Sequence, residues 1–125
     1  MTCTGPITIV VPVYDGVDDV VRCLASLLAH TPAHVGDLAT TIVVIDDAAP
    51  DPAMVPALDE VLARPSEVPV RRERHERNRG FVGSVNSAFA STTGDVVLVN
   101  ADTAVTAGWL DRLAACAAEP GVATV

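Results

Sequence analysis

Apolar and polar residues alternate along this chain with two different periods. Ile7 to Val13 (ITIVVPV) is a short, almost wholly apolar and β-branched run after Gly5-Pro6, the pattern of a strand covered on both faces. Pro12 has no N–H to donate, so it is expected where ladder pairing stops. Val17, Val20, Val21, Leu24, Leu27 and Leu28 then recur at helical spacing. At about 100° per residue they form a stripe roughly 120° wide, opposite Asp18, Asp19, Arg22 and Ser26. The two aspartates in the first turn complement the helix dipole.

The alternation repeats. Thr40 to Ile45 (TTIVVI) is a second buried strand, ending in Asp46-Asp47. Asp51-Pro52 has the pattern of an N-cap followed by a first-turn proline, opening a helix from about Ala53 to Ala63. Val68 to Arg72 is a weaker third strand, interrupted by arginines. Gly80 to Thr92 carries Val82, Val85 and Phe89 at helical spacing, and Gly94 stops it before a fourth strand, Asp95 to Val99. Thr106 is expected to cap a last helix bearing Trp109, Leu110, Leu113 and Ala117. Gly121 to Val125 reads as the start of another strand.

Strand–helix alternation of this kind predicts an α/β fold, a Rossmann-like three-layer α/β/α arrangement around a mostly parallel sheet with right-handed crossovers. Ligands of such sheets sit beyond the carboxyl ends of the strands, at a switch point in strand order. Tyr14-Asp15-Gly16, Asp46-Asp47 and Asn100-Ala101-Asp102 stand at those ends, so polar groups cluster where the fold would put a site.

Composition narrows the choices. A chain of 125 residues is one domain's worth. Its net charge is −8, from 16 acids against eight bases. That balance argues against general nucleic-acid binding, which needs a basic footprint. Every base is arginine, which excludes any mechanism that requires a lysine of this chain. No apolar run reaches the roughly 18 residues of a membrane span. Met1-Thr2-Cys3-Thr4 lacks the basic start and apolar stretch of a secretion signal. Cys3, Cys23 and Cys116 show no paired spacing, which fits a reducing setting in the cytoplasm or at the cytoplasmic face of the membrane. Cys23 and Cys116 read as small packing residues rather than nucleophiles.

Several residues have both a chemical and a structural reading. Asp102 is placed to hold a hard divalent cation whose other ligands are phosphate oxygens and water, or to cap the turn before Thr106. In the pair Asp46-Asp47, like charges need donors or solvent to compensate them. The pair suits hydrogen-bond acceptance from a nucleoside, while Asp51 is left to cap its helix. Tyr14 lines a base or packs half-buried. Asn78 and Gly80, just before a helix, allow close approach of backbone to a ligand. The segment Arg71 to Arg79 (RRERHERNR) holds five of the eight arginines, with His75 among them. It reads as a solvated face from which one or two arginines reach a pyrophosphate. His30 and His34 read as surface residues.

In order, these pieces resemble the nucleotide-binding half of family 2 glycosyltransferases, which have the GT-A fold. Val11-Pro12-Val13-Tyr14-Asp15 is similar to the family's VPVYN, and Ile45-Asp46-Asp47-Ala48-Ala49-Pro50-Asp51 to its VDDGSxD. Asn78-Arg79-Gly80 matches its asparagine–x–glycine, with Asn86 further along the same helix. Asn100-Ala101-Asp102 matches its DxD region, often NxD in bacterial members. The resemblance covers essentially the whole chain and implies a strand order of 3-2-1-4. It further implies that Pro12, Val13, Tyr14 and Asp15 line the base and ribose and that Asp46-Asp47 meets the nucleotide, with Asp47 on the base. Asn78 and Gly80 would close over the base, and Asn100 would lie beside Asp102, which helps hold Mn2+ or Mg2+ on the diphosphate.

Two departures stand out: Ala48-Ala49 replaces Gly-Ser, and Asn100 replaces the first aspartate of DxD. The implied reaction transfers a sugar, with inversion, from a nucleotide diphosphate sugar to a hydroxyl of a glycan, lipid or small-molecule acceptor. The family's general base and acceptor site come from its later half, so none is expected before Val125. The chain is therefore expected to be a fragment that associates through an exposed sheet edge.

Other readings of such a chain differ in class. A receiver-like signalling domain needs a lysine, which is absent, and an acidic pair after the first strand rather than the second. A dinucleotide-binding oxidoreductase needs a glycine-rich turn where Pro12-Val13-Tyr14-Asp15-Gly16 stands. A non-catalytic binding or assembly module with the same fold stays open.

Overall fold

The β-branched run Ile7–Val13 forms β1, the middle of the sheet. The computed structural model describes residues 5–119 and 121. After β1 come helix α1 (Val17–His30), strands β2 (His34–Val35) and β3 (Leu38–Asp46), helix α2 (Met54–Leu62) and strand β4 (Val70–Arg74). Helix α3 (Gly80–Ala90), strand β5 (Asp95–Leu98) and helix α4 (Trp109–Ala117) complete the order. The strand expected from Gly121 to Val125 lies outside the described residues apart from Gly121. No described helix is long and apolar enough to cross a membrane.

The main sheet runs β4-β3-β1-β5 with every neighbour parallel. In the numbering of the four strands read from the sequence, this is the expected 3-2-1-4. The unanticipated β2 pairs antiparallel with the start of β3, His34 opposite Ala39. It is only two residues long and leaves no periodic signal. The third strand read from the sequence, β4, starts and ends two residues later than its apolar content suggests, because backbone pairing with β3 carries Arg71, Arg72 and Arg74 into the ladder.

Alternation along the strands sends side chains to opposite faces. On one face Ile7, Ile9, Val11 and Val13 join Ile42 and Val44 beneath α1, α2 and α4, which contribute Leu24, Leu27, Met54, Leu58 and Leu110 among others. On the other face Val10, Val43 and Ile45 meet only Ala88 of α3 as a buried partner. A fully buried aliphatic side chain contributes about 1.5–3 kcal/mol, so the first face carries most of the packing energy. Val20, Leu24, Leu27 and Leu28 of the α1 stripe are buried as their spacing predicts, with Cys23 also inside, and Val17 and Val21 are half-buried at its margin.

Helix α3 forms where its spacing predicts but packs by its small residues. Val82 and Phe89 are 69% and 51% exposed, and the buried pair is Ser84 and Ala88. Small residues at i and i+4 let this helix lie close to the sheet, and the larger apolar side chains are turned away. Thr106 does not cap α4. Gly108, with φ 78°, occupies the N-cap position, while the Thr106 carbonyl accepts the N–H of Trp109. Asp51 does close the turn leading into α2, accepting the N–H of Ala53 at 2.9 Å. Cys23 packs inside, but Cys116 is exposed and packs nowhere in the core.

Candidate functional site

From β1 the chain moves outward to β3 and β4, then returns to β5 on the other side of β1. That reversal is the switch point at which parallel sheets open a crevice. Pro12 helps to open it. The N–H of Asp47 bonds the Val13 carbonyl toward β3, so by alternation the backbone of Pro12 faces β5 and has no proton to offer it. The β1–β5 ladder accordingly ends at the pair Val10 and Leu98, whereas the β1–β3 ladder continues through Pro12 and Val13.

A cleft of about 570 Å³ lies beyond these strand ends. Pro12, Val13, Tyr14 and Asp15 reach it from β1, Asp47 from β3, and Asn78 and Gly80 from the loop before α3. Asn100 and Asp102 reach it from the loop after β5. Tyr14, Asp47 and Asp102 therefore share one crevice although they are far apart in sequence. Gly16 and Ala101, at the same strand ends, line it too, as do Asp19, Phe81 and Ser84, which no sequence motif pointed to. Ser84 lies one helical turn after Gly80, a spacing that puts both on the same helix face. Its hydroxyl has no hydrogen-bond partner among the described residues.

Asp47 is only 3% exposed. Its Oδ1 accepts the N–H of Arg79 at 2.8 Å and lies 2.7 Å from His75 Nδ1, and its Oδ2 accepts the N–H of Gly80 at 2.9 Å. Burial raises the cost of charging this carboxyl. The His75 hydrogen bond, the two backbone donors and the attraction of a protonated His75 outweigh burial and hold the group below its ordinary range. The same Gly80 N–H also meets Asn78 Oδ1 at 2.9 Å. Gly80 has φ 75°, which permits the backbone to turn this amide toward Asp47 without steric cost. His75, which sequence reading left on a solvated face, is buried. The signal was the register: Asp46 pairs with Arg74, so the next residues along, Asp47 and His75, come together.

Asp46 needs a correction. It does not line the cleft, and it is fully buried. Its Oδ1 accepts the N–H of Ala49 at 2.9 Å, and its Oδ2 lies 3.8 Å from Arg74 Nε. This carboxylate shapes the loop after β3 and faces no ligand space. The loop turns at Ala48, the one non-glycine described residue with positive φ, at 57°. Substitution of the family's glycine by alanine has therefore kept the turn and added strain.

Asp102 is exposed on the cleft, with no hydrogen bond to its carboxylate among the described residues. Beneath it, Cys23 Sγ donates to the Asn100 carbonyl at 3.6 Å. Burial pushes the Cys23 thiol up to about 11, with the charge of Asp102 adding to it and a backbone bond from Thr103 opposing it. The thiol stays protonated and is no nucleophile. The described residues contain no group of three or more His, Cys, Asp or Glu side chains able to enclose a metal. An exposed carboxylate such as Asp102, beside room for a ligand, fits Mg2+ or Mn2+ held mainly by phosphate oxygens and water; it would not suit a closed protein site.

The family model described as glycosyl transferase family 2 matches residues 8–125. The chain belongs to that family. No curated protein matches it in sequence. In fold, this family 2 chain is similar to the mannosyltransferase PcManGT from Pyrobaculum calidifontis in complex with GDP-Man and Mn2+, with a TM-score of 0.76 and 21% identity over 91% of this chain. It is also similar to S. aureus TarS 1-349 in complex with UDP-GlcNAc, with a TM-score of 0.68 and 20% identity over 90% of this chain. These likenesses show the Rossmann-like GT-A fold for the family 2 chain. It spans about a third of those chains, 32% and 31% respectively.

Proposed function

We propose that this chain is the donor-binding portion of a glycosyltransferase, one that moves a sugar from a nucleotide diphosphate sugar to an acceptor hydroxyl with inversion and metal assistance. The observation carrying the proposal is the convergence of Tyr14, Asp47 and Asp102 on the crevice at the switch point of the sheet. PcManGT with GDP-Man and Mn2+ and TarS with UDP-GlcNAc support the ligand class.

In this reading Pro12, Val13, Tyr14 and Asp15 line the base and ribose. Asp47 Oδ2 keeps a lone pair beyond its bond to Gly80 and accepts from the base. Asn78 and Gly80 form the wall over it, and Asn100 lies beside Asp102, which holds the cation on the diphosphate. A bound divalent cation supplies charge stabilisation to the departing diphosphate.

Thermal unfolding with Mn2+ and GDP or UDP tests this. Ligand at a hundredfold excess over Kd stabilises by about 2.7 kcal/mol, so Tm should rise by several degrees. Asp102→Ala should abolish the Mn2+-dependent part. No shift with either nucleotide would refute donor binding, and an equal shift in Asp102→Ala would remove Asp102 from the site. Self-association through β5 belongs to the same proposal. Among the described strands β5 pairs with β1 alone, and Leu98 on it is 40% exposed. Light scattering at high concentration should find dimers or larger species; a monomer would end that part.

A further inference from the structure

Helix α1 grips the loop that carries Asp102 at both of its ends. Ser26 Oγ accepts the N–H of Val105 at 3.0 Å and donates its own proton to the Cys23 carbonyl at 2.7 Å. A hydroxyl has one proton and two lone pairs, so the bond inside α1 uses the proton and leaves an acceptor for Val105. Three residues earlier on the same helix, Cys23 Sγ donates to the carbonyl of Asn100 at 3.6 Å. That carbonyl also receives the N–H of Thr103 at 3.0 Å. Asn100 and Val105 are therefore tied to two side chains about one helical turn apart. Asp102 stands between the ties, exposed and without a hydrogen bond to its carboxylate among the described residues.

The carboxylate thus has little to hold it except the shape of its loop. Neither Ser26 nor Cys23 lines the cleft, so neither can touch a ligand there. We propose that Ser26 and Cys23 are positioning residues for Asp102, clamping the Asn100–Val105 loop so that the carboxylate meets a diphosphate-bound divalent cation. The inference rests on the donor-binding reading above. Sequence pattern alone put Ser26 on the polar face of α1, where a serine has no evident task. The tie to Val105 is contact between residues 79 apart in sequence.

The test is calorimetric titration of the 125-residue chain with GDP and UDP, each with and without saturating Mn2+. Ser26→Ala removes the acceptor and strands the Val105 N–H. It should weaken binding about 5- to 10-fold in Mn2+ and leave the metal-free affinity as in the wild type. Ser26→Thr keeps the hydroxyl and should restore the Mn2+-dependent gain. Cys23→Ala removes a weaker bond and should cause a smaller loss of the same kind, which keeps the inference testable if Ser26→Ala does not fold. A Ser26→Ala chain with its full Mn2+-dependent gain would overturn the inference while leaving donor binding intact. So would an equal loss with and without metal, which marks a general structural defect. A wild-type chain that binds nucleotide with no gain from Mn2+ would instead overturn the metal part of the donor reading, and this inference with it.

Discussion

The two aspartates at opposite walls of the cleft do different physical work. Asp47 is buried, saturates most of its acceptor capacity with donors from the chain itself, and is held ionised by them. Asp102 is exposed and meets no donor among the described residues. The first carboxylate is mainly a fastener, closing the segment from His75 to Gly80 onto the end of β3 and leaving one direction for a ligand. The second is a spare charge on a tethered loop. Similar side chains at similar strand ends therefore divide into one that shapes the site and one that is available to a cation.

Substitutions at these positions should separate the two roles. The largest effect is expected for Asp47→Ala, which strands the N–H of Arg79 and the His75 ring and leaves the Gly80 N–H only its bond to Asn78 Oδ1. Urea unfolding at neutral pH should show a loss of about 3–5 kcal/mol. The pH dependence has a definite sign. The folded chain holds the Asp47 carboxyl below its ordinary value of 3.8, so its contribution is complete above that pH and is lost as pH falls through the lowered value. The stability gap between wild type and Asp47→Ala should accordingly narrow below about pH 3.8. A gap that is constant down to strong acid would mean that the charge is not what fastens the loop.

A smaller, opposite effect is expected beside it. Ala48→Gly relieves a left-handed alanine at a cost of about 1–2 kcal/mol, offset in part by the entropy glycine loses on folding. The variant should gain about 0.5–1 kcal/mol in the same unfolding experiment. A loss would show that the turn after Asp46 carries no strain. The smallest change is expected for Asp102→Ala, within about 0.5 kcal/mol of the wild type in the absence of ligand. A loss approaching that of Asp47→Ala would erase the contrast between the two carboxylates.

Much of this arrangement was legible along the chain. β-branched runs located β1, β3 and β5, the arginine-broken β4 was read two residues early, and the resemblance to the family supplied their order. The polar residues just past the strand ends located the cleft. Adjacent carboxylates were harder. Asp46 and Asp47 look alike in sequence, but successive residues of an extended segment point in opposite directions. Only the fold turns Asp46 into the loop and Asp47 toward the cleft. His75 was hidden by its charged neighbours, because composition reads Arg71 to Arg79 as one solvated face while β-pairing sorts its members by register. Helix α3 was legible as a helix but not in its orientation: Val82, Val85 and Phe89 share a helical spacing, but spacing does not say whether the sheet will take the large face or the small one.

By itself the sequence determined the alternation of strands and helices, the identity of the strand-end residues and the family, since all of these depend on local periodicity and on motifs in order. The tertiary structure decided which carboxylate is buried and which is spare, that His75 meets Asp47, and that Ser26 meets Val105. Those contacts join residues 28 and 79 apart. Strand register and helix docking create them, and neither is encoded within any short stretch of the chain.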